Sequence, residues 1–569
     1  MKKYLAILVT LMMILSLAAG CTKQDAKSEG STTDAAAATE AAVATEAPAE
    51  PVVKELTWAR AYDSTSLDPA ESADDESNNI VSYTTEGLIR LINGEVIPGI
   101  AETWDVSADG MTYTFHLRDS VWSDGTPLTA NDFAFSFFRL IDPALGHSQA
   151  STGYNVLNAQ EYAEGTKTAA DVGYKALDDK TLEITFKAPG LGNLYSLNSN
   201  GFHPVQQAFV EKAGVTYGSE KEFVLGNGPF VITEWSHENT IVLEKNPNYW
   251  NADSINITKL TGIANVANDT AVEMMLTGSI DLASFADPTY YQQLYDAGFG
   301  GVTYCNTNQF LHINMNGKTA DSGRFLSNTN FRRALSYALD RSAACATVLL
   351  GQTPASRLID PGANGINGKF VDEYPIADGA GINITADVTK AQEYLQLALT
   401  ELGATIDDVP ELSMLCYESQ GSQTQLQAYQ DMFLTTLGIK CVIDPQPIQQ
   451  MIGKVYSFDY DFWLGGVSIG SMDVASADGS LAYWDMSNPD ALFGYKNQAF
   501  SDLLAEAQHA TDLQVRYDKI AELEKIFIDE VPDLLITWKT INVMYKEGIV
   551  ITSIDKSFGA DLAFADIVS

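Results

Sequence analysis

The stretch Gly465-Gly466-Val467-Ser468-Ile469-Gly470-Ser471-Met472-Asp473 holds the residues of this chain best placed, by type and spacing, to do chemistry. Gly466 to Gly470 spells G-x-S-x-G, the pattern that raises a nucleophilic serine on a sharp strand-to-helix turn. Such a serine attacks a carbonyl only with a histidine to take its proton, a carboxylate to orient that histidine, and donors for the oxyanion. Tyr460 to Gly466 can supply the strand. The helix is harder to find, because Gly479 follows only nine residues after Gly470. The histidine downstream is His509, on the polar side of the amphipathic run LLAEAQHATDL, and no HGGG-type oxyanion segment stands upstream. A hydrolase using Ser468 is a distant alternative.

Other reactive groupings are absent from the sequence. The six histidines (His116, His147, His203, His237, His312 and His509) never fall within one helical turn of each other, so no H-E-x-x-H metal spacing exists. No glycine-rich phosphate loop with Lys-Ser/Thr occurs. Neither a metal nor any other cofactor is implied. Besides Cys21, the cysteines are Cys305, Cys345, Cys416 and Cys441, without a C-x-x-C pair. They read as buried thiols, with one or two bridges left open. Lys plus Arg number 34 against 74 Asp plus Glu, a formal charge of −40. Nucleic acid would be repelled by that charge, and so would a membrane surface that relies on basic contacts.

The elements that must position these residues begin after a leader. Lys2 and Lys3 precede the apolar run Tyr4 to Ala19, whose 16 residues are fewer than the roughly 20 a membrane span needs. It ends in Leu17-Ala18-Ala19-Gly20-Cys21, which resembles a bacterial lipobox. Residues 1–20 are thus expected to be a lipoprotein signal peptide, with Cys21 the acylated residue. The protein would then sit on the extracytoplasmic face of the cell membrane, held by its lipid anchor. Residues 21–51 carry almost no large apolar side chain and read as a flexible tether. From residue 52 onward strands and helices mix without regular βαβ alternation. Met111 to Arg118 and Thr181 to Pro189 alternate as strands, and Asp132 to Ile141 is a helix opened at Thr129 and stopped by Asp142-Pro143. Asn330 can cap a helix running to Gly351, and further amphipathic helices fit residues 389–403 and 515–530. Asp533 to Tyr545 reads as strand.

In their order these segments resemble the oligopeptide-, dipeptide- and nickel-binding lipoproteins of ABC importers, family 5 of the bacterial extracellular solute-binding proteins. The resemblance rests on SLDPA (66–70), EGLIR (86–90), PGIAETWDVSADGMTYTFHLRDSVWSDGTPLTANDF (98–133), GNGPFVITEW (226–235), KNPNYW (245–250), GSIDLA (278–283) and FRRALSYALDR (331–341). It implies an α/β, type II periplasmic-binding-protein-like fold with two lobes, a hinge and an extra inserted domain. Lobe I would comprise 52–85, 206–305 and 541–569, the inserted domain 86–205, and lobe III 306–540. The hinge crossings would then fall near Cys305 and Ile541. The implied function is capture of a peptide between the lobes, as a monomer, and delivery to the membrane permease of an ABC importer, with no reaction performed.

The resemblance also gives Gly466 to Gly470 another role. In peptide binders the matching stretch pairs its main chain with the ligand, and an aspartate holds the ligand's α-ammonium. Here Val467 stands at that motif's tryptophan, Gly470 at the ammonium-binding aspartate, and Asp473 at the following acidic position. Gln149 stands where the family's oligopeptide members carry a ligand-contacting tyrosine. The candidate ligand-binding residues are therefore Gly466, Val467, Ser468, Gly470, Asp473 and Gln149. A buried ammonium without a carboxylate is costly. Either Asp473 or another acid such as Glu71 or Asp74 holds it, or the ligand is non-peptide or blocked at its amine.

Overall fold

The computed structural model describes residues 53–92, 95–377, 379–467, 469, 480–488, 493–555 and 559–568. Cys21, Ser468, Gly470 and Asp473 lie outside the described residues.

Strand β1 (Glu55–Ala59) opens a large mixed sheet. The chain leaves it to form a separate antiparallel sheet from β2 (Ala101–Val106), β3 (Thr112–Leu117), β4 (Tyr174–Asp178) and β5 (Thr181–Thr185). It returns through β6 (Phe230–Ser236), β7 (Thr240–Lys245), β8 (Lys259–Ile263) and β9 (Leu282–Phe285). The long β10 (Gly300–Ile313) leads on to β11 (Leu412–Tyr417), β12 (Cys441–Gln446) and β13 (Phe462–Val467). β14 (Leu534–Tyr545) completes the sheet, whose order is β12-β11-β13-β10-β14-β9-β1-β8-β7-β6.

Burial patterns account for these assignments. β3 alternates because one face of its sheet meets water. β11 is buried at five consecutive positions, Leu412 to Cys416, because it lies between parallel neighbours in a sheet covered on both sides.

Of the apolar cores among the described residues, three are the largest. One gathers Leu88 to Phe202 around β2–β5. A second holds Leu56, Trp58 and Leu260 with Val543 of β14. The third holds Phe310 to Ile313 of β10, Leu534 to Ile536 and Trp538 of β14, and the helices between them. β10 and β14 therefore run from one core to the next. Their mutual register shifts between Cys305 and Thr307 and again between Gln309 and Phe310, in the stretch between the cores.

Helix α1 (Asp75–Thr84) begins at Asp74, whose carboxylate accepts the Ser77 N–H at 2.8 Å. Helix α2 (Ala130–Leu140) buries Phe133, Phe137 and Leu140 on one face and starts where the Thr129 N–H meets the Asp132 carboxylate at 2.8 Å. The helix expected from Asn330 to Gly351 divides instead. Asn328 caps α3 (Thr329–Ala338) by accepting the Phe331 N–H at 3.0 Å, and Asp340 starts a new helix, Arg341–Thr347, by accepting the Ala343 N–H at 2.7 Å. The aspartate's competing bond ends α3. Asn330 donates to Glu401 at 2.8 Å.

Cys345, Cys416 and Cys441 are free and buried. Burial pushes the thiols of Cys345 and Cys441 up to about 12 and that of Cys416 up to about 11, so they stay protonated and unreactive.

Candidate functional site

β13 carries the first candidate residues. Gly466 pairs with Gln309 and Val467 with Asn308 on the β10 side. On the other side β11 pairs only as far as Met414↔Phe462 and Leu415↔Trp463. From Leu464 to Val467, that second edge of β13 has no strand partner among the described residues. Its N–H and C=O groups can pair with an extended chain laid alongside. The glycines are fixed by sheet packing too. A Cβ on Gly466 would fall 2.6 Å from Thr307 Cγ2, and one on Gly465 would fall 2.8 Å from Trp463 Cζ2.

The chain beyond β13 is held by Asn308. This buried side chain accepts the Ile469 N–H at 2.9 Å and donates to the Leu358 carbonyl at 3.2 Å. Ile469 is itself fully buried. The next wall is uncharged. Gln425, on helix α4 (Gln420–Leu437), donates to Gln309 Oε1 at 2.9 Å and to the Tyr429 hydroxyl at 2.8 Å.

Gln149 lies elsewhere on the chain path. Its N–H donates to the Ala70 carbonyl at 3.2 Å, beside Glu71, and no hydrogen bond joins it to β13 among the described residues. Both acids named above as substitutes for the ammonium anchor are already engaged. Glu71 binds His147 Nδ1 and the Ser148 N–H. Asp74 accepts from Ser77 Oγ at 2.6 Å and Thr65 Oγ1 at 2.5 Å. In each, partial burial pushes the carboxyl pKa up, but these hydrogen bonds outweigh it and hold the group below its ordinary range.

His509 ends helix α5 (Gln498–His509) and is exposed. A buried histidine–carboxylate pair near β13 joins His312 Nδ1 to Asp533 Oδ2 at 2.6 Å, with His312 stacked between Trp463 and Phe493. His312 pairs with Trp463 across β10 and β13. Burial raises the Asp533 pKa more than His312 lowers it. The pair braces the core. Among the described residues no group of His, Cys, Asp and Glu could hold a metal ion.

The sequence motifs have structural occupations that pattern reading did not supply. Buried Glu86 accepts from Arg90 Nε at 2.6 Å, from the Tyr249 hydroxyl at 2.8 Å and from Trp250 Nε1. Arg90 also faces Asp561 at 3.4 Å. Asn227 closes a two-way bond with the Glu86 backbone, at 3.0 and 2.9 Å. EGLIR, GNGPF and KNPNYW are thus parts of one polar junction, distant in sequence and joined in space. Only the number of polar and aromatic residues in those motifs hinted at it.

Two cores spanned by a pair of crossing strands, with a third core on an excursion from the first, make this a type II periplasmic-binding fold. Residues 95–488 match the family described as bacterial extracellular solute-binding proteins, family 5 (middle region), and the chain belongs to that family. It is similar to the oligopeptide-binding protein OppA of Bacillus subtilis (strain 168), with 29% identity over 82% of this chain and 84% of OppA. To the dipeptide-binding protein DppE of the same organism it is 27% identical, over 82% and 83% of the two chains. Among solved structures, a periplasmic oligopeptide-binding protein of Borrelia burgdorferi superposes with a TM-score of 0.70 at 25% identity, covering 90% of this chain and all of that one. The protein is an extracellular solute-binding protein of the kind that serves ABC importers. No helix among the described residues is long and apolar enough to cross a membrane.

Proposed function

We propose that this protein captures extended peptides between its two main cores and delivers them to the permease of an ABC importer, without chemical change. The observation that carries this reading is the unpaired edge of β13 from Leu464 to Val467, beside two glycines. Main-chain pairing there gives affinity without demanding particular side chains. The peptide-binding names of the relatives support the same ligand class. Gly466, Val467, Ser468, Gly470 and Asp473 would line the ligand on one side and Gln149 would face it from the inserted domain. That domain would span 86–205. Lobe I would comprise 52–85, 206–305 and 541–569, and lobe III 306–540. The protein would act as a monomer, tethered by residues 21–51 and anchored through acylated Cys21. Mass spectrometry of whatever co-purifies with residues 22–569, released by denaturation, tests the ligand class. A ladder of short peptides is expected, and a single non-peptide species would overturn it.

A second reading is favoured by the engagement of Glu71 and Asp74 in internal hydrogen bonds. With both committed, a peptide blocked at its amine would enter without an uncompensated ammonium. Titration with a peptide and its N-acetylated form separates the two readings. Tighter binding of the acetylated peptide selects the second.

A further inference from the structure

Between the two cores, the crossing strands carry mostly uncharged polar side chains: Thr307, Asn308 and Gln309 on β10, and Thr537, Thr540 and Asn542 on β14. Lys539 is the exception. It is exposed, and it makes no hydrogen bond or ion pair among the described residues. Its position is defined by the ladder. Lys539 is registered opposite Thr307, so the two side chains share a sheet face. Thr307 Cγ2 in turn occupies the space beside Gly466 on that face. Lys539 and Thr307 are thus paired across β14 and β10, and Gly466, registered opposite Gln309, is the diagonal neighbour of Thr307, so this face leads from the cation to the strand whose far edge is unpaired, across two strand spacings of roughly 10 Å. Asp75, in the first turn of α1, feels this cation: partial burial and neighbouring Asp74 raise its pKa while Lys539 lowers it, though the two residues do not form an ion pair.

We infer that Lys539 is a specificity-determining residue of this site, receiving a carboxylate of the bound ligand. The inference rests on the peptide reading above. The chemistry is that of a flexible ammonium with three donors, which meets a carboxylate from several directions. The whole chain, at −40, repels anions. A preference for an acidic ligand group cannot come from that overall field, which salt screens within about 8 Å at physiological ionic strength. It must come from a local cation, and Lys539 is placed to be that cation. The carboxylate can be the peptide's C-terminus or an acidic side chain facing the crossing strands.

Calorimetric titration of wild-type, Lys539→Met and Lys539→Arg proteins with four peptides tests this. The peptides are Ala-Ala-Ala-Ala, its C-terminal amide, Ala-Glu-Ala-Ala and Ala-Gln-Ala-Ala. Wild type is expected to favour one carboxylate form over its neutral partner by about tenfold, the Met variant to lose that preference and the Arg variant to keep it. A preference within the acid/amide pair identifies the terminal carboxylate, and one within the Glu/Gln pair identifies the side chain. Equal discrimination by wild type and Lys539→Met, or none by wild type, overturns the assignment while leaving peptide binding standing. If wild type binds none of the four, nor their N-acetylated forms, the peptide reading itself fails and the assignment falls with it. Thermal denaturation checks that the variants fold, as an exposed position allows.

Discussion

At the scale of single residues, Gly466 shows how packing and function converge on one position. Its missing side chain leaves room for Thr307 on one face while its backbone keeps an open edge. Gly466→Val should weaken peptide binding at least tenfold, about 1.4 kcal/mol, by crowding Thr307 and tilting the strand edge. Pairing Gly466→Ala with Thr307→Ser removes the clashing methyl and should recover most of the affinity lost by Gly466→Ala alone. Titration of the four proteins with one peptide decides it. No recovery would mean that the glycine is needed by the ligand itself.

His203 gives a prediction about pH. Burial, with a smaller contribution from Arg90, lowers its pKa from 6.5 to about 3. Its Nδ1 lies 2.7 Å from Thr85 Oγ1, which itself donates to the Val81 carbonyl, so the ring is neutral with the proton on Nδ1. A folded-state pKa below the unfolded one favours folding above pH 6.5, and that contribution is lost as pH falls toward 3. At pH 5 the loss from this group is about 2 kcal/mol. Urea denaturation of wild type and His203→Gln at pH 7 and pH 5 should show the difference between them shrinking by that amount on acidification. Parallel behaviour of the two proteins would assign the acid sensitivity to other groups.

At the scale of elements, the start of the loop after β13 is set by Asn308 on the neighbouring strand. The side chain satisfies two backbone groups, so Asn308→Ala leaves the Ile469 N–H and the Leu358 carbonyl without it. Each such buried group costs roughly 1–3 kcal/mol. The variant should lose about 2–6 kcal/mol in urea denaturation and bind peptide more weakly. Asn308→Asp keeps the acceptor and should restore the Ile469 bond alone. Wild-type stability in the alanine variant would show that the loop is held by other contacts. Elements of this kind were legible in the sequence where one local rule decides them. The α2 start at Thr129 and the alternating strand read from Met111 to Arg118, observed as β3, are such cases. The α3 break at Asp340 was missed because its apolar period continues across the break, and only the competing cap interrupts it. The candidate loop was found from its glycines and its resemblance to the family. Thr307 and Asn308, which contact this stretch, and Lys539, one strand further on, were not found, since they lie about 160 or 70 residues away and are brought near it only through strand register. The buried Glu86 junction was hidden for the same reason.

At the scale of the whole molecule, what matters is that the two main cores share a single sheet. On the proposed reading, a ligand on the β13 edge would touch one core directly and would reach the other by a bending of β10 and β14. The register shifts at Cys305/Thr307 and Gln309/Phe310 put irregular, weakened pairing between the cores, where bending is least costly. Closure would then be a hinge motion about two strands, driven by whatever contacts the ligand gains with the second core. A ligand at 100 times its Kd stabilises the closed form by about 2.7 kcal/mol. Two observables should move together on adding a binding peptide: the radius of gyration from small-angle scattering should fall, and amide exchange at residues 305–309 should slow. Slowed exchange without compaction would mean that the peptide pairs with β13 while the cores stay apart. In that case the crossing strands serve as a rigid floor, and capture depends on the open edge alone.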